Sequence, residues 1–120
     1  MVAIGLINEL VGFTGTMNYY SSTFGKLKLT DGMNYLRNKA NCYWLVDIVE
    51  SVQGLSSVRL ARKFLIWKIE VDRDKSFKVT AREDTESELV YEQKGGYTDF
   101  PLRGFEFYQC DDVLLLKGEY

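Results

Sequence analysis

The stretch Phe64-Leu65-Ile66-Trp67-Lys68-Ile69-Glu70-Val71 constrains the fold most, because Leu65, Trp67, Ile69 and Val71 alternate with Lys68 and Glu70. A period of two sends alternate side chains to opposite faces of a sheet, so this segment is a strand with one covered and one wet face. Beyond the polar turn Asp72-Arg73-Asp74-Lys75-Ser76, Phe77, Val79 and Ala81 repeat the alternation against Lys78, Thr80 and Arg82. Two such runs joined by a short polar turn predict an antiparallel hairpin. A third strand is expected near Glu88 to Glu92. A last hairpin, Phe105 to Gln109 and Val113 to Lys117, should turn at Cys110-Asp111-Asp112.

Upstream of Lys63 the period is helical. Val2, Leu6, Ile7, Leu10 and Val11 recur at steps of three and four, which predicts a short helix ending near Gly12. The following stretch, FTGTMNYYSSTFGKLKLTDG, reads as a loop holding a short strand at Lys26 to Leu29. Thr30 and Asp31 are N-cap residue types, and Met33, Tyr35, Leu36 and Ala40 follow at helical spacing. Asn41 tolerates left-handed backbone, so the pattern to Gln53 is expected to break there into two helices. In the second, Tyr43, Trp44, Leu45, Val46, Ile48 and Val49 leave little polar face, so enclosure on most sides is expected until Gly54 and the serines stop it. Helices first and strands afterwards indicate α+β. The expectation is one domain over residues 1–120, with N-terminal helices packed on an antiparallel sheet of four to six strands.

The chain holds no histidine, which removes Ser-His and Cys-His nucleophile pairs, imidazole general bases and histidine-ligated metal sites. Its two cysteines, Cys42 and Cys110, are too few for a disulfide framework or an all-cysteine zinc site, and reduced buried thiols in a cytoplasmic protein are expected. A net charge of −2 names no polyanionic partner. No apolar run approaches the about 20 residues that cross a bilayer. MVAIGLINELVGF lacks a basic leader and is interrupted by Glu9, so it reads as an amphipathic helix rather than a signal peptide.

General acid and base work would have to come from carboxylates. Asp31 suits a helix cap, Asp111-Asp112 a turn, and Asp99, in Thr98-Asp99-Phe100-Pro101, the start of another. Asp47 lies inside the apolar run CYWLVDIV, and burial there demands donors, which makes it a polar anchor locking helix to loop. A carboxylate-dependent or metal-dependent hydrolase would need Asp31, Asp47 and Asp99 to converge in one open cleft. No D-x-D-x-D-G spacing occurs, and Gly12-Phe13-Thr14-Gly15-Thr16 lacks the Lys and the preceding strand of a phosphate loop. Catalytic residues, metal and cofactor are therefore all expected to be absent.

Two surfaces remain. Arg59, Arg62, Lys63, Lys68, Arg73, Lys75 and Lys78 form the one local basic excess and could hold a nucleic-acid backbone, although Glu70, Asp72 and Asp74 interrupt them. Tyr19, Tyr20, Tyr97 and Tyr120 lie outside the periodic elements, where they either seal loops over the core or anchor a partner.

With FTGTMNYY, LTDGMNYL, CYWLVDIVES, FLIWKIEV, YTDFPL and a terminal EY in this order, the chain resembles a family of small bacterial, phage and plasmid proteins of unknown function from about Leu10 to Tyr120. The residues carrying the resemblance are Phe13, Thr14, Gly15, Tyr20, Thr30, Asp31, Gly32, Tyr35, Tyr43, Trp44, Leu45, Asp47, Trp67, Asp99, Phe100 and Pro101; Asn41 stands where the pattern has glycine. The resemblance brings no activity, cofactor or catalytic residue. It implies a mobile-element setting, in which small acidic proteins bind host machinery. The function expected is a non-enzymatic binding protein acting on a protein or protein–RNA complex of the bacterial host, with inhibition of a defence system such as CRISPR-Cas as one form of it. A nucleic-acid-binding protein is the alternative.

Overall fold

β3 (Leu65–Val71) runs through the middle of the sheet, where its neighbours explain its alternation. On one face Leu65, Trp67 and Ile69 are fully buried, level with Gln109, Phe107 and Phe105 of β6 (Gly104–Cys110). Trp67 and Ile69 also face Ala81 and Val79 of β4 (Phe77–Arg82). The opposite face carries Lys68, Glu70 and Glu106. The computed structural model describes residues 3–120, with side chains from residue 5 onward, so Val2 of the expected first helix lies outside the described residues.

Among the described residues the sheet has seven strands in the order β1-β2-β7-β6-β3-β4-β5, with β1 (Tyr20–Ser21), β2 (Lys28–Leu29), β5 (Leu89–Gly95) and β7 (Val113–Leu115) completing it. This corrects the expectation of four to six antiparallel strands: β2 pairs parallel to β7, and the sheet is mixed. The physical reason is length. β1 has two residues, too few to show alternation, while β2 falls within the strand expected at Lys26 to Leu29 and is set beside β7 by bonds across the chain: Lys28 N donates to Asp112 O at 2.7 Å and Thr30 N to Leu114 O at 3.1 Å.

The described residues form four helices, α1 (Ala3–Leu10), α2 (Asp31–Lys39), α3 (Tyr43–Ser51) and α4 (Ser56–Ala61). α2 and α3 are separated at Asn41, whose φ of 50° is the left-handed turn its residue type allows. Cys42 N reaches back to Arg37 O at 3.0 Å to close the end of α2. α3 buries Leu45, Val46 and Val49 but leaves Tyr43 exposed, so its enclosure is one-sided. α4 departs from the expectation that the serines after Gly54 end the helical region: Val58 and Ala61, three apart, bury one face and start a new helix.

The N-terminus of α2 gathers several of the distinctive motifs. Thr30 is its cap, its Oγ1 accepting from Met33 N at 3.3 Å, and Asp31 takes the first helical position. Glu119, in the closing 3₁₀ turn, accepts from Thr30 Oγ1 at 2.6 Å, Gly32 N at 3.0 Å and Leu116 N at 3.0 Å, setting a carboxylate against the positive end of the helix. A Cβ on Gly32 would collide with that carboxylate and with Leu116. Gly to Ala inside a helix normally stabilises by up to about 1 kcal/mol. Here Gly32→Ala is expected to destabilise by about 2 kcal/mol, because it displaces Glu119 from its donors. Thermal unfolding reads the sign directly.

Candidate functional site

The segment from Thr16 to Lys26 has little regular structure, yet side chains of α2 and α3 hold its backbone. Glu50 of α3, 1% exposed, accepts from the Ser22 hydroxyl, from Phe24 N at 3.0 Å and from Lys26 N at 2.9 Å. Burial pushes the Glu50 carboxyl up, but the bonds from Ser22, Phe24 and Lys26, with the Lys26 charge, outweigh it and leave the pKa below the ordinary glutamate value. One turn earlier on the helix, half-buried Asp47 accepts from Thr23 Oγ1 at 2.6 Å. Asp47 thus meets a hydroxyl donor of this loop, and Glu50 is the deeper pin.

Arg37 of α2 completes the seat. Its Nη1 donates to Ser21 O at 3.1 Å, its Nη2 to Asn34 Oδ1 at 2.8 Å, and its guanidinium lies 4.6 Å from the centre of the Tyr43 ring. Asp31 holds the other end of the segment. Its carboxylate accepts from Met17 N at 2.9 Å, and its own N–H donates to Thr16 Oγ1 at 2.8 Å. The Met17 backbone bond holds the Asp31 carboxyl below its usual value against a smaller upward push from burial, helped by Tyr20, Thr16 and Asn18. The same hydrogen bond to Asp31 raises the pKa of the Tyr20 hydroxyl.

With the backbone tied inward, large apolar side chains point out. Met17 is 92% exposed, Phe24 79% and Tyr19 58%, and Tyr20 and Tyr43 are also open. Tyr20 lies in β1, an edge strand; Met17, Tyr19 and Phe24 flank it along the chain, and Tyr43 reaches it through Arg37, which also donates to Ser21 O. Apolar groups on an anchored backbone lose little entropy when a partner covers them.

The four tyrosines singled out in the sequence do not share this surface. Tyr19 and Tyr20 lie on it. Tyr97 instead lines a cleft of about 390 Å³ with Trp44, Phe77, Thr98 and Asp99. Tyr120 packs edge-on against Tyr108, with ring centres 5.4 Å apart, and against Phe64 at 5.3 Å. Met17 and Phe24 escaped sequence reasoning because they lie in an aperiodic stretch. Their one signal is a bulky apolar residue among Ser, Thr, Gly and Asn.

The carboxylates Asp31, Asp47 and Asp99 serve three places: the Met17 turn, the Thr23 hydroxyl and the Tyr97 cleft. Among the described residues no group of three acidic or cysteine side chains is placed to hold a metal. Burial pushes the Cys42 thiol up to about 12, and burial with the Asp111 charge raises Cys110, so neither is a ready thiolate.

The basic residues are likewise dispersed. Arg59 lies on α4, Arg62 and Lys63 follow it, and Arg73 and Lys75 lie in the β3–β4 turn. Lys68 and Lys78 are on the open sheet face, where Lys68 lies 3.9 Å from Glu70 and level with Glu106, and Lys78 is level with Glu70. Near the β3–β4 turn a cleft of about 590 Å³ brings Lys78, Lys94 and Arg103 together with Glu70 and Asp72, so its charges largely cancel.

No helix among the described residues is long and apolar enough to cross a membrane. Neither a curated protein nor a solved structure matches the chain. The model of a family of unknown function, DUF6876, matches residues 5–120, nearly the whole sequence, and this protein belongs to that family.

Proposed function

We propose that this protein is a non-enzymatic protein-binding module whose partner surface is the β1 edge, formed by Met17, Tyr19, Tyr20 and Phe24 with Tyr43 beside them. The observation that carries the reading is the exposure of Met17, Tyr19 and Phe24 on a backbone fastened by Glu50, Asp47, Arg37 and Asp31. Loops that merely cover a core turn such side chains inward. The matching surface on the partner is apolar, with pockets for aromatic rings. A host protein of bacterial defence machinery, the partner class implied by the resemblance, is the occupant this proposal names.

The test is capture of bound protein from bacterial lysate with three tagged forms: wild type, Tyr19→Ser/Phe24→Ser, and Leu60→Ser. Leu60 is 82% exposed on α4 and serves as a control away from the surface. A protein enriched by wild type and by Leu60→Ser but lost with the double variant supports the proposal, provided all three melt alike. Enrichment that ignores the double variant overturns it. Retention of wild type on immobilised RNA or DNA that falls with added salt would instead favour the basic residues as the contact surface.

A further inference from the structure

The other end of the sheet differs from the aromatic edge. β5 is seven residues long, Leu89–Gly95, and pairs with β4 alone. Among the described residues, no further backbone or side-chain hydrogen bond reaches the outer side of this strand. α4 packs against β5 with Val58 and Ala61 turned into the core, and no hydrogen bond joins it to the outer side of the strand. An exposed strand edge of this length presents a row of unpaired donors and acceptors.

We propose that this edge is a self-association surface, on which β5 of a second copy pairs antiparallel about a two-fold axis at Gln93. The charges select the register. With Gln93 opposite itself, Glu92 faces Lys94 of the second copy and Lys94 faces its Glu92, both pairs on the open face of the sheet. Moving the axis by one residue either way sets Glu92 against Glu92 or Lys94 against Lys94, and like charges directly opposite are unfavourable.

The result is isologous, joining two seven-stranded sheets edge to edge with the helices of both copies on one side. Each β1 edge then lies at an outer end. Two partner surfaces at opposite ends of one assembly would gain avidity for a partner displayed in several copies. This consequence rests on the proposed function; the dimer does not.

Sedimentation velocity over a wide concentration range, up to millimolar protein, tests the pairing. Wild type is expected to move from monomer toward dimer as concentration rises. Glu92→Lys replaces both attractive pairs with Lys–Lys contacts and should weaken association about tenfold. The exchange Glu92→Lys/Lys94→Glu restores opposite charges in the same register and should recover wild-type association. Both positions are exposed, and melting curves check that each variant is folded. Wild type that stays monomeric throughout, a dimer indifferent to Glu92→Lys, or a double exchange that fails to restore association overturns the proposal. Tyr19→Ser/Phe24→Ser should dimerise normally, which separates failure of this inference from failure of the partner surface.

Discussion

Glu50→Ala is expected to destabilise this protein by about 3 kcal/mol at neutral pH and to lower its melting temperature by about 10 °C. The mutation leaves the Ser22 hydroxyl and the N–H groups of Phe24 and Lys26 without their acceptor. Hydrogen bonds to a charged group are stronger than neutral ones, and an orphaned buried donor loses water as well as its partner. Ser22 Oγ also accepts from Leu27 N at 2.9 Å, so the damage spreads to the residues that lead into β2. Asp47→Ala removes one bond from a half-buried site and should cost about 1 kcal/mol.

The pH dependence separates the carboxylate from simple packing. Because the folded pKa of Glu50 lies below its unfolded value, its stabilisation is complete above the unfolded value of about 4.3 and is lost as pH falls through the folded one. Wild type and Glu50→Ala should therefore differ most near neutrality and converge in acid. Urea unfolding at neutral pH and below about pH 4 measures both. A gap that stays constant through acid would assign the effect to lost packing.

Gln109→Leu should destabilise by about 3 kcal/mol despite conserving bulk and adding apolar character. Gln109 is wholly buried on the covered face of β6, level with Leu65. Its Oε1 accepts from Trp67 Nε1 at 2.9 Å and from Gln53 Nε2 at 3.2 Å. Its Nε2 donates to Gln53 Oε1 at 2.8 Å and to Asp111 O at 2.7 Å. Leucine satisfies none of these; Trp67 N–H and Gln53 Oε1 lose their partner inside the core, and Asp111 O loses its own at the half-buried turn. Glutamine to leucine on a sheet face usually stabilises when the site is dry and unpaired, so the direction is diagnostic. Chemical denaturation with tryptophan fluorescence reads stability and the Trp67 environment together. No loss of stability would show that the network closes without Gln109.

Much of this fold was legible because repeated patterns report local geometry. Leu65 to Val71 and Phe77 to Arg82 alternate over enough residues to define which side is covered, and both were placed as they occur. The break at Asn41 was legible because one residue type accommodates the left-handed turn. Two-residue strands carry no period, so β1 left no signal although its partner β2 follows closely, and the parallel pairing of β2 with β7 depends on a partner far along the chain. α4 was hidden because its serines favour stopping a helix, while burial of Val58 and Ala61 favours starting one.

The candidate surface was half legible for the same reason. Tyr19 and Tyr20 stood out as aromatics outside any periodic element, whereas Met17 and Phe24 became visible only when their backbone was seen to be held from behind. Glu50 sits in an apolar helix much as Asp47 does, and nothing local distinguishes the deeper anchor from the shallower one. Their depths follow from where loop 22–27 crosses α3. By itself the sequence determined the α+β class, the central hairpin, the helix break and the lack of imidazole chemistry, since each follows from residue type or short-range period. Tertiary structure alone decided which carboxylate is buried, which aromatics face outward and which strand edges stay open, because those depend on contacts between segments that no local pattern encodes.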